Sequence, residues 1–461
     1  MGSELSALTV IFTEFYYWVT VVFMFLIHVG FCLYEVGVSR ERNKLNTLMK
    51  NSMLIPTITI GFFFVGWWLY FAAQNGPGIT GGLKSAAWSE PWSELMAPHL
   101  GGSPESNDLS LDDTATWSRL NGVFWAAFLL FSWTAGSILS GAVIERIRSA
   151  AFWTLAMLVG CITWVIVAAW GWSDTGWMVQ KLGYHDAYAS GVIHALAGGS
   201  ALAILFQLGP RIGRFREDGS PRVFPAHNTW MIIIGMFLIY TGFWGFYAAC
   251  NVPIFDINAD GSPFFSAVTI YLTPTTLSGI TFNFIMALTG GLLIGYMVSK
   301  GDPFWTFQGG LGGIITASAG NDLYHPMHAF FVAMLGVWIA YKLHYWVERK
   351  FKLDDAVGAV AIHGYCGFIG LVAAGFILWG YPSSTNEGYA SINPIGQTLG
   401  ALLIFFGLGF IPCYLFAGLF RRLGLLRIPM EIELAGLDHR IIRSEDEDRT
   451  ELADFEETIN Y

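Results

Sequence analysis

Apolar runs of about 18 to 25 residues recur along nearly the whole chain, each long enough to cross the hydrocarbon core of a bilayer as a helix. Inside a bilayer every backbone polar group must bond within the chain, so repeated runs of this length leave a helical bundle as the fold. Eleven spans are expected, at roughly 9–34, 51–74, 121–144, 150–172, 186–208, 228–250, 278–299, 304–321, 326–348, 356–380 and 394–420. The eighth is rich in glycine (Gly309, Gly310, Gly312, Gly313, Gly320) and admits a broken helix lining a cavity. A polar stretch rich in Gly, Ser, Pro and Asp, about 75–118, precedes the third.

Composition agrees. Of 461 residues, 54% are hydrophobic and 13% charged, against about a quarter charged in soluble chains. That excludes a soluble enzyme, a nucleic-acid binder and a disulfide-stapled secreted module. The net charge of -10 averages over unlike pieces and does not mark an acidic protein seeking basic partners. Cys32, Cys161, Cys250, Cys366 and Cys413 all fall inside apolar runs with no C-x-x-C pair, so they read as small buried residues. Met1 to Val10 lack a basic region and a cleavage site, so the first run is expected to be a span and not a cleaved signal.

The loops set orientation. Arg40, Arg42, Lys44 and Lys50 follow span one, and Arg146 and Arg148 follow span three. Arg211, Arg214, Arg216 and Arg222 follow span five, and Lys300 follows span seven. Lys342, Arg349, Lys350 and Lys352 surround the end of span nine, and Arg421, Arg422 and Arg427 follow span eleven. The opposite loops hold Lys84, Arg119 and Lys181. Such asymmetry places the N-terminus outside and the C-terminus in the cytoplasm.

Two spans share a pattern. Span five reads Asp186, His194, Gly198; span ten reads Asp355, His363, Gly367; both are D-x7-H-x3-G. Five spans separate them, so the two helices enter from opposite faces, as an inverted repeat of spans 1–5 and 6–10 requires, with span eleven an addition. An aspartate at each helix start suits the N-terminal dipole. Eight helical residues carry each histidine about 12 Å inward, near the bilayer midplane, and the glycines one turn on permit close approach. A lone histidine in an apolar helix usually is a satisfied buried side chain. Two at symmetric positions, each with its own aspartate, point instead to a pathway or proton relay. A metal site lacks a third ligand at that depth, and a hydrolase lacks a serine or cysteine tied to the pair.

Several blocks, taken in order, resemble the ammonium transporter family (Amt/MEP/Rh), and within it the Amt/MEP branch: Gly30 to Asn43, Ser140 to Arg148, Pro225 to Asn228, Gly242 to Phe246, and Asp354-Asp355 ahead of His363. The resemblance runs from about residue 9 to 440. It implies a homotrimer of eleven-helix subunits in the plasma membrane, each subunit with its own pore for ammonium or ammonia, with no enzymatic step, cofactor or metal. It implies roles as well. His194 and His363 match the twin pore histidines. Asp186, Trp172, Phe131 and Cys250 match the external recruitment site, and Phe131 and Phe246 match the outer gate, Phe246 as its stacked second ring. Asp355 is the structural start of span ten. Departures fall at that site: Cys250 replaces the usual serine, Tyr247 an asparagine, and Ala127 a further phenylalanine, while Asp186 to Gly191 differs from the usual Asp-Phe-Ala-Gly-Gly-Thr.

The expected division is a transmembrane domain over 1–425 and a cytoplasmic acidic tail over 426–461. The tail, with its run Glu445 to Asp448, reads either as a solvated segment or as an arm for a regulator of the PII type. Three functions stand: an ammonium transporter or channel, an ammonium sensor with the same fold that signals through its tail, and a transporter of another small solute.

Overall fold

The computed structural model describes residues 2–77, 113–257 and 263–438. Most of the polar stretch expected before span three, and the acidic run from Glu445 to Asp448, lie outside them. The helical runs are α1 (Leu8–Val38), α2 (Glu41–Ala72), α3 (Leu120–Ala142), α4 (Ser149–Gly171), α5 (Ser190–Leu208), α6 (Thr229–Ala249), α7 (Leu277–Ser299), α8 (Pro303–Ala317), α9 (Pro326–Phe351), α10 (Val360–Ile377) and α11 (Pro394–Arg422). Apart from α8, all ten are long and apolar enough to cross a membrane. Large apolar side chains cover the outside of the bundle, among them Phe15, Trp18, Phe282, Trp338 and Phe376, as an apolar solvent permits.

Local sequence explains where helices begin. Asn228, Asp302 and Asn393 accept hydrogen bonds from the amides of Met231, Trp305 and Gly396, at 3.1, 2.9 and 2.7 Å. Proline follows at Pro303 and Pro394, where its missing N–H costs nothing.

Two expectations change. The glycine-rich eighth run does not break: α8 is one continuous 15-residue helix. Its glycines serve a helix contact, since a Cβ on Gly309 would lie 2.6 Å from the Gly291 carbonyl and one on Gly313 2.6 Å from the Ala287 carbonyl, both of α7. The connection after α6 also departs from an all-α reading. It forms a three-stranded antiparallel sheet, β1 (Asn251–Ile257), β2 (Pro263–Thr269) and β3 (Pro274–Thr275), with Asn251 opposite Thr269 and Ala267 opposite Thr275.

At the centre α1 lies against α6, and α5 crosses α10. Gly198 of α5 meets the Gly364 backbone, and Gly367 of α10 meets the Ser190 carbonyl, so closely that any Cβ would force the helices apart. The expectation for Gly198 and Gly367 thus holds in its geometry.

Candidate functional site

That crossing brings the two histidines together. His194 Nδ1 and His363 Nδ1 lie 3.0 Å apart, with ring centroids at 5.2 Å and planes 26° apart. Both side chains are buried. One Nδ1 must carry the proton and the other the lone pair, so the pair has a polarity, which reverses when a proton binds the Nε2 of the donor ring, the shared proton shifts, and a proton leaves the Nε2 of the other ring. His194 Nε2 is buried without a partner. Apolar rings enclose the pair: Phe243 and Phe246 at 5.8 and 5.9 Å from His194, and Phe31 at 6.2 Å from His363.

Both helices reach their histidine through a π-helical turn, Ser190–Ala195 and Val360–Tyr365, a rare device that recurs at functional positions. His194 N bonds the carbonyl five residues back, at Ala189. The helices therefore start later than expected, and the eight-residue step from Asp to His is not wholly helical. Each aspartate caps from a distance. Asp186 Oδ2 accepts from the amides of Gly191 and Val192 at 2.7 and 2.9 Å and from the Tyr184 hydroxyl at 3.1 Å. Asp355 accepts from Ala359 and Val360, each at 2.9 Å. Three residues after each aspartate the chain turns left-handed, at Ala189 and at Gly358, both with φ of 70°. Glycine suits that conformation; alanine is strained in it. Burial pushes the Asp186 carboxyl up to about 6 and Asp355 up to about 7, against the amide hydrogen bonds that pull both down.

The expected outer-site residues cluster on the Asp186 side. Phe131, Phe246 and Trp172 are fully buried. Phe131 meets Phe246 and Trp172 with centroids 4.8 Å away in both cases. The two phenylalanines are perpendicular, at 86°, not stacked as the resemblance implied; an edge against a face is the better arrangement of two ring quadrupoles. The Trp172 indole donates to the Ala187 carbonyl at 3.3 Å, which ties it to the residue after Asp186. Cys250 turns its thiol back onto the Phe246 carbonyl at 3.1 Å.

At the Asp355 side an ion network joins four connections. The Arg211 guanidinium forks onto Asp354 at 2.8 and 2.9 Å and reaches Glu145 at 3.3 Å; Arg40 meets Glu145 at 2.7 Å. Burial alone would raise both carboxyls, but Arg211 and Arg146 beside Asp354, and Arg211 and Arg40 beside Glu145, hold them below the usual range. Residues 426–438 pack onto this layer. Glu433 accepts from the Ile212 amide and pairs with Arg427, each at 2.7 Å, and Asp438 accepts from the amides of Leu45 and Asn46, each at 2.8 Å. Among the described residues no group of three or more His, Cys, Asp or Glu converges in a way that could hold a metal ion.

The profile of the Ammonium Transporter Family matches residues 15–446. The chain belongs to that family. It is 29% identical over 433 residues to ammonium transporter Amt2 of Archaeoglobus fulgidus, covering 89% of this chain and 82% of that one. It is 26% identical over 423 residues to ammonium transporter Amt1 of Methanocaldococcus jannaschii, covering 91% and 93%. In fold it is similar to a structure described as a sensor Amt protein, with TM-score 0.74, 21% identity and coverage of 94% and 98%. It is also similar to Mep2 of Saccharomyces cerevisiae, with TM-score 0.67, 17% identity and coverage of 91% and 88%. Membership makes this a multi-pass membrane protein of a transporter family, with ammonium as its substrate, and not one of an enzyme family.

Against the family pattern the departures acquire partners. Tyr247 stacks on Tyr188 at 4.2 Å and 6° and bonds Ser318 at 2.6 Å and Asn321 at 2.9 Å. Ala127 is buried beside Phe128, whose ring lies 6.0 and 6.1 Å from Phe131 and Trp172. Sequence reasoning missed this Tyr188–Tyr247 stack, Phe128, and a buried His185–Asp322 pair. The last had a signal: a histidine directly before Asp186.

Proposed function

We propose that the protein conducts ammonium nitrogen across the plasma membrane, as a homotrimer of eleven-helix subunits built on an inverted five-helix repeat with α11 added, the N-terminus outside. Ammonium gathers at the outer end by the Asp186 carboxylate and the faces of Trp172 and Phe131, with Cys250 at the edge of that site. Cation–π attraction of about 0.5 to 2 kcal/mol cannot replace an ion's hydration. The proton therefore leaves before the dry segment, and ammonia passes the Phe131–Phe246 gate as a neutral molecule. His194 Nε2, buried and unpartnered, offers it a hydrogen bond. The Nδ1–Nδ1 contact gives the proton a path of its own.

The observation that carries this reading is the 3.0 Å contact between two buried imidazoles. Labelled methylammonium uptake into vesicles tests it: transport is expected in the wild type and is lost or altered in selectivity in His194 and His363 variants. Uptake unchanged for every ammonium analogue in those variants would sink the relay.

A second reading has its own support. The Phe131 and Phe246 rings are in contact and the Cys250 thiol is turned onto its own helix, and the fold is similar to a sensor Amt protein. A protein that binds ammonium and transports none would be a sensor that signals through the segment beyond residue 425. That segment is also where we place a PII-type regulator; a pull-down equal for full-length and tail-deleted protein would count against it.

A further inference from the structure

One buried acid–base pair has no part in that route. His185 Nε2 lies 3.1 and 3.0 Å from the two Asp322 oxygens, with both side chains fully buried. The backbone of His185 is clamped by Gln397, which accepts from its amide at 3.3 Å and donates to its carbonyl at 2.6 Å. Its ring leans on Tyr271 at 4.9 Å. A carboxylate only accepts, so Nε2 carries the proton and Nδ1 holds a bare lone pair. That Nδ1 is buried without a partner, as is Oδ1 of the neighbouring Asp186. Among the described residues no lysine or arginine pairs with Asp186 or Asp322. Here a carboxylate fixes the tautomer and leaves the other ring nitrogen without a partner, the arrangement by which enzymes orient a general base.

We propose that His185, positioned by Asp322, accepts the proton that ammonium gives up at the outer mouth. The inference rests on the transport reading above and names the group that performs its first step. One N–H bond of ammonium breaks and its electron pair stays on nitrogen as ammonia. The proton binds His185 Nδ1, and the Asp322 carboxylate balances the imidazolium. The proton then leaves to water at the mouth or to the histidine relay, which restores the neutral ring. The other titratable groups around the pair are Asp186, Tyr184, Tyr188, Tyr271 and Tyr324. None of them is a cation, and Asp322 is the carboxylate that bonds the ring.

The test is methylammonium uptake from pH 5 to 8 in vesicles holding wild type, His185→Gln, Asp322→Asn or Asp322→Glu. A base works when neutral, and removing its carboxylate disfavours the imidazolium. Maximum rate in His185→Gln is expected to fall about 100-fold or more, while half-saturation moves little. In Asp322→Asn the acid limb of the maximum rate should move to lower pH. Asp322→Glu should keep the wild-type limb. A limb unmoved in Asp322→Asn, or a His185→Gln rate within about twofold of wild type, overturns the inference. If Asp322→Asn does not fold, His185→Gln decides alone. Absence of uptake in the wild type overturns the transport reading itself; wild-type uptake with unmoved variants overturns only this step.

Discussion

Asp186 carries an acidic group where burial opposes its charge, and the sign of its pH effect follows. Its carboxyl is raised from 3.8 to about 6, so the folded chain holds this proton more tightly than the unfolded chain does. The stabilising contribution is present below the unfolded value and lost as pH rises through about 6. Recruitment of a cation needs the ionised form and runs the other way. Half-saturation for ammonium uptake should rise as pH falls below about 6, and Asp186→Asn should weaken it about tenfold and flatten the dependence, equivalent to roughly 1.4 kcal/mol. A flat wild-type half-saturation between pH 5 and 7 would contradict this. The effect reads on half-saturation, whereas the His185 effect reads on maximum rate.

Between elements, the crossing of α5 and α10 decides whether the histidines meet. Gly198 leaves no room for a Cβ against the Gly364 backbone. Gly198→Leu should push the helices apart and cost about 1 to 3 kcal/mol or more, seen as a loss of monodisperse protein or a fall in thermal stability; a variant as stable as wild type would contradict this. This crossing was legible in the sequence, because D-x7-H-x3-G occurs twice and H-x3-G sets each glycine about one helical turn beyond its histidine. The π-helical turns before both histidines were not legible, since they depend on tertiary packing around Ser190 and Val360 and not on local propensity. Glycines in α8 misled in the other direction. A run of glycine marks close approach as readily as a break, and only the facing Gly291 and Gly295 of α7 distinguish the two. The sheet after α6 was missed because Asn251–Ile257 and Pro263–Thr269 are short runs without strict alternation of apolar and polar residues.

For the whole molecule, the Glu145–Arg211–Asp354 network ties the ends of three helices and the segment beyond α11 into one layer. Removing one member leaves its partners buried and unpaired. Arg211→Ala should cost about 3 to 5 kcal/mol, read as a lowered unfolding temperature in detergent; a change under about 1 kcal/mol would mean that the network is solvated. Asp354 is held below its usual range, so its contribution is present above the unfolded value and lost only as pH falls through the lowered one. The network should therefore be intact at about pH 5, where Asp186 is losing its charge. Charge asymmetry in the loops foretold that basic residues gather on this side. Which carboxylates they bond could not be read, because Asp354 is about 140 residues from Arg211 in sequence. Passage through the pore as a unit is tested most directly by current across a solid-supported membrane after an ammonium jump, with wild type, His194→Ala and His363→Ala side by side. A wild-type current that fails or changes selectivity in either variant is the predicted result. Equal currents in all three, with unchanged selectivity, would contradict a route through the twin histidines.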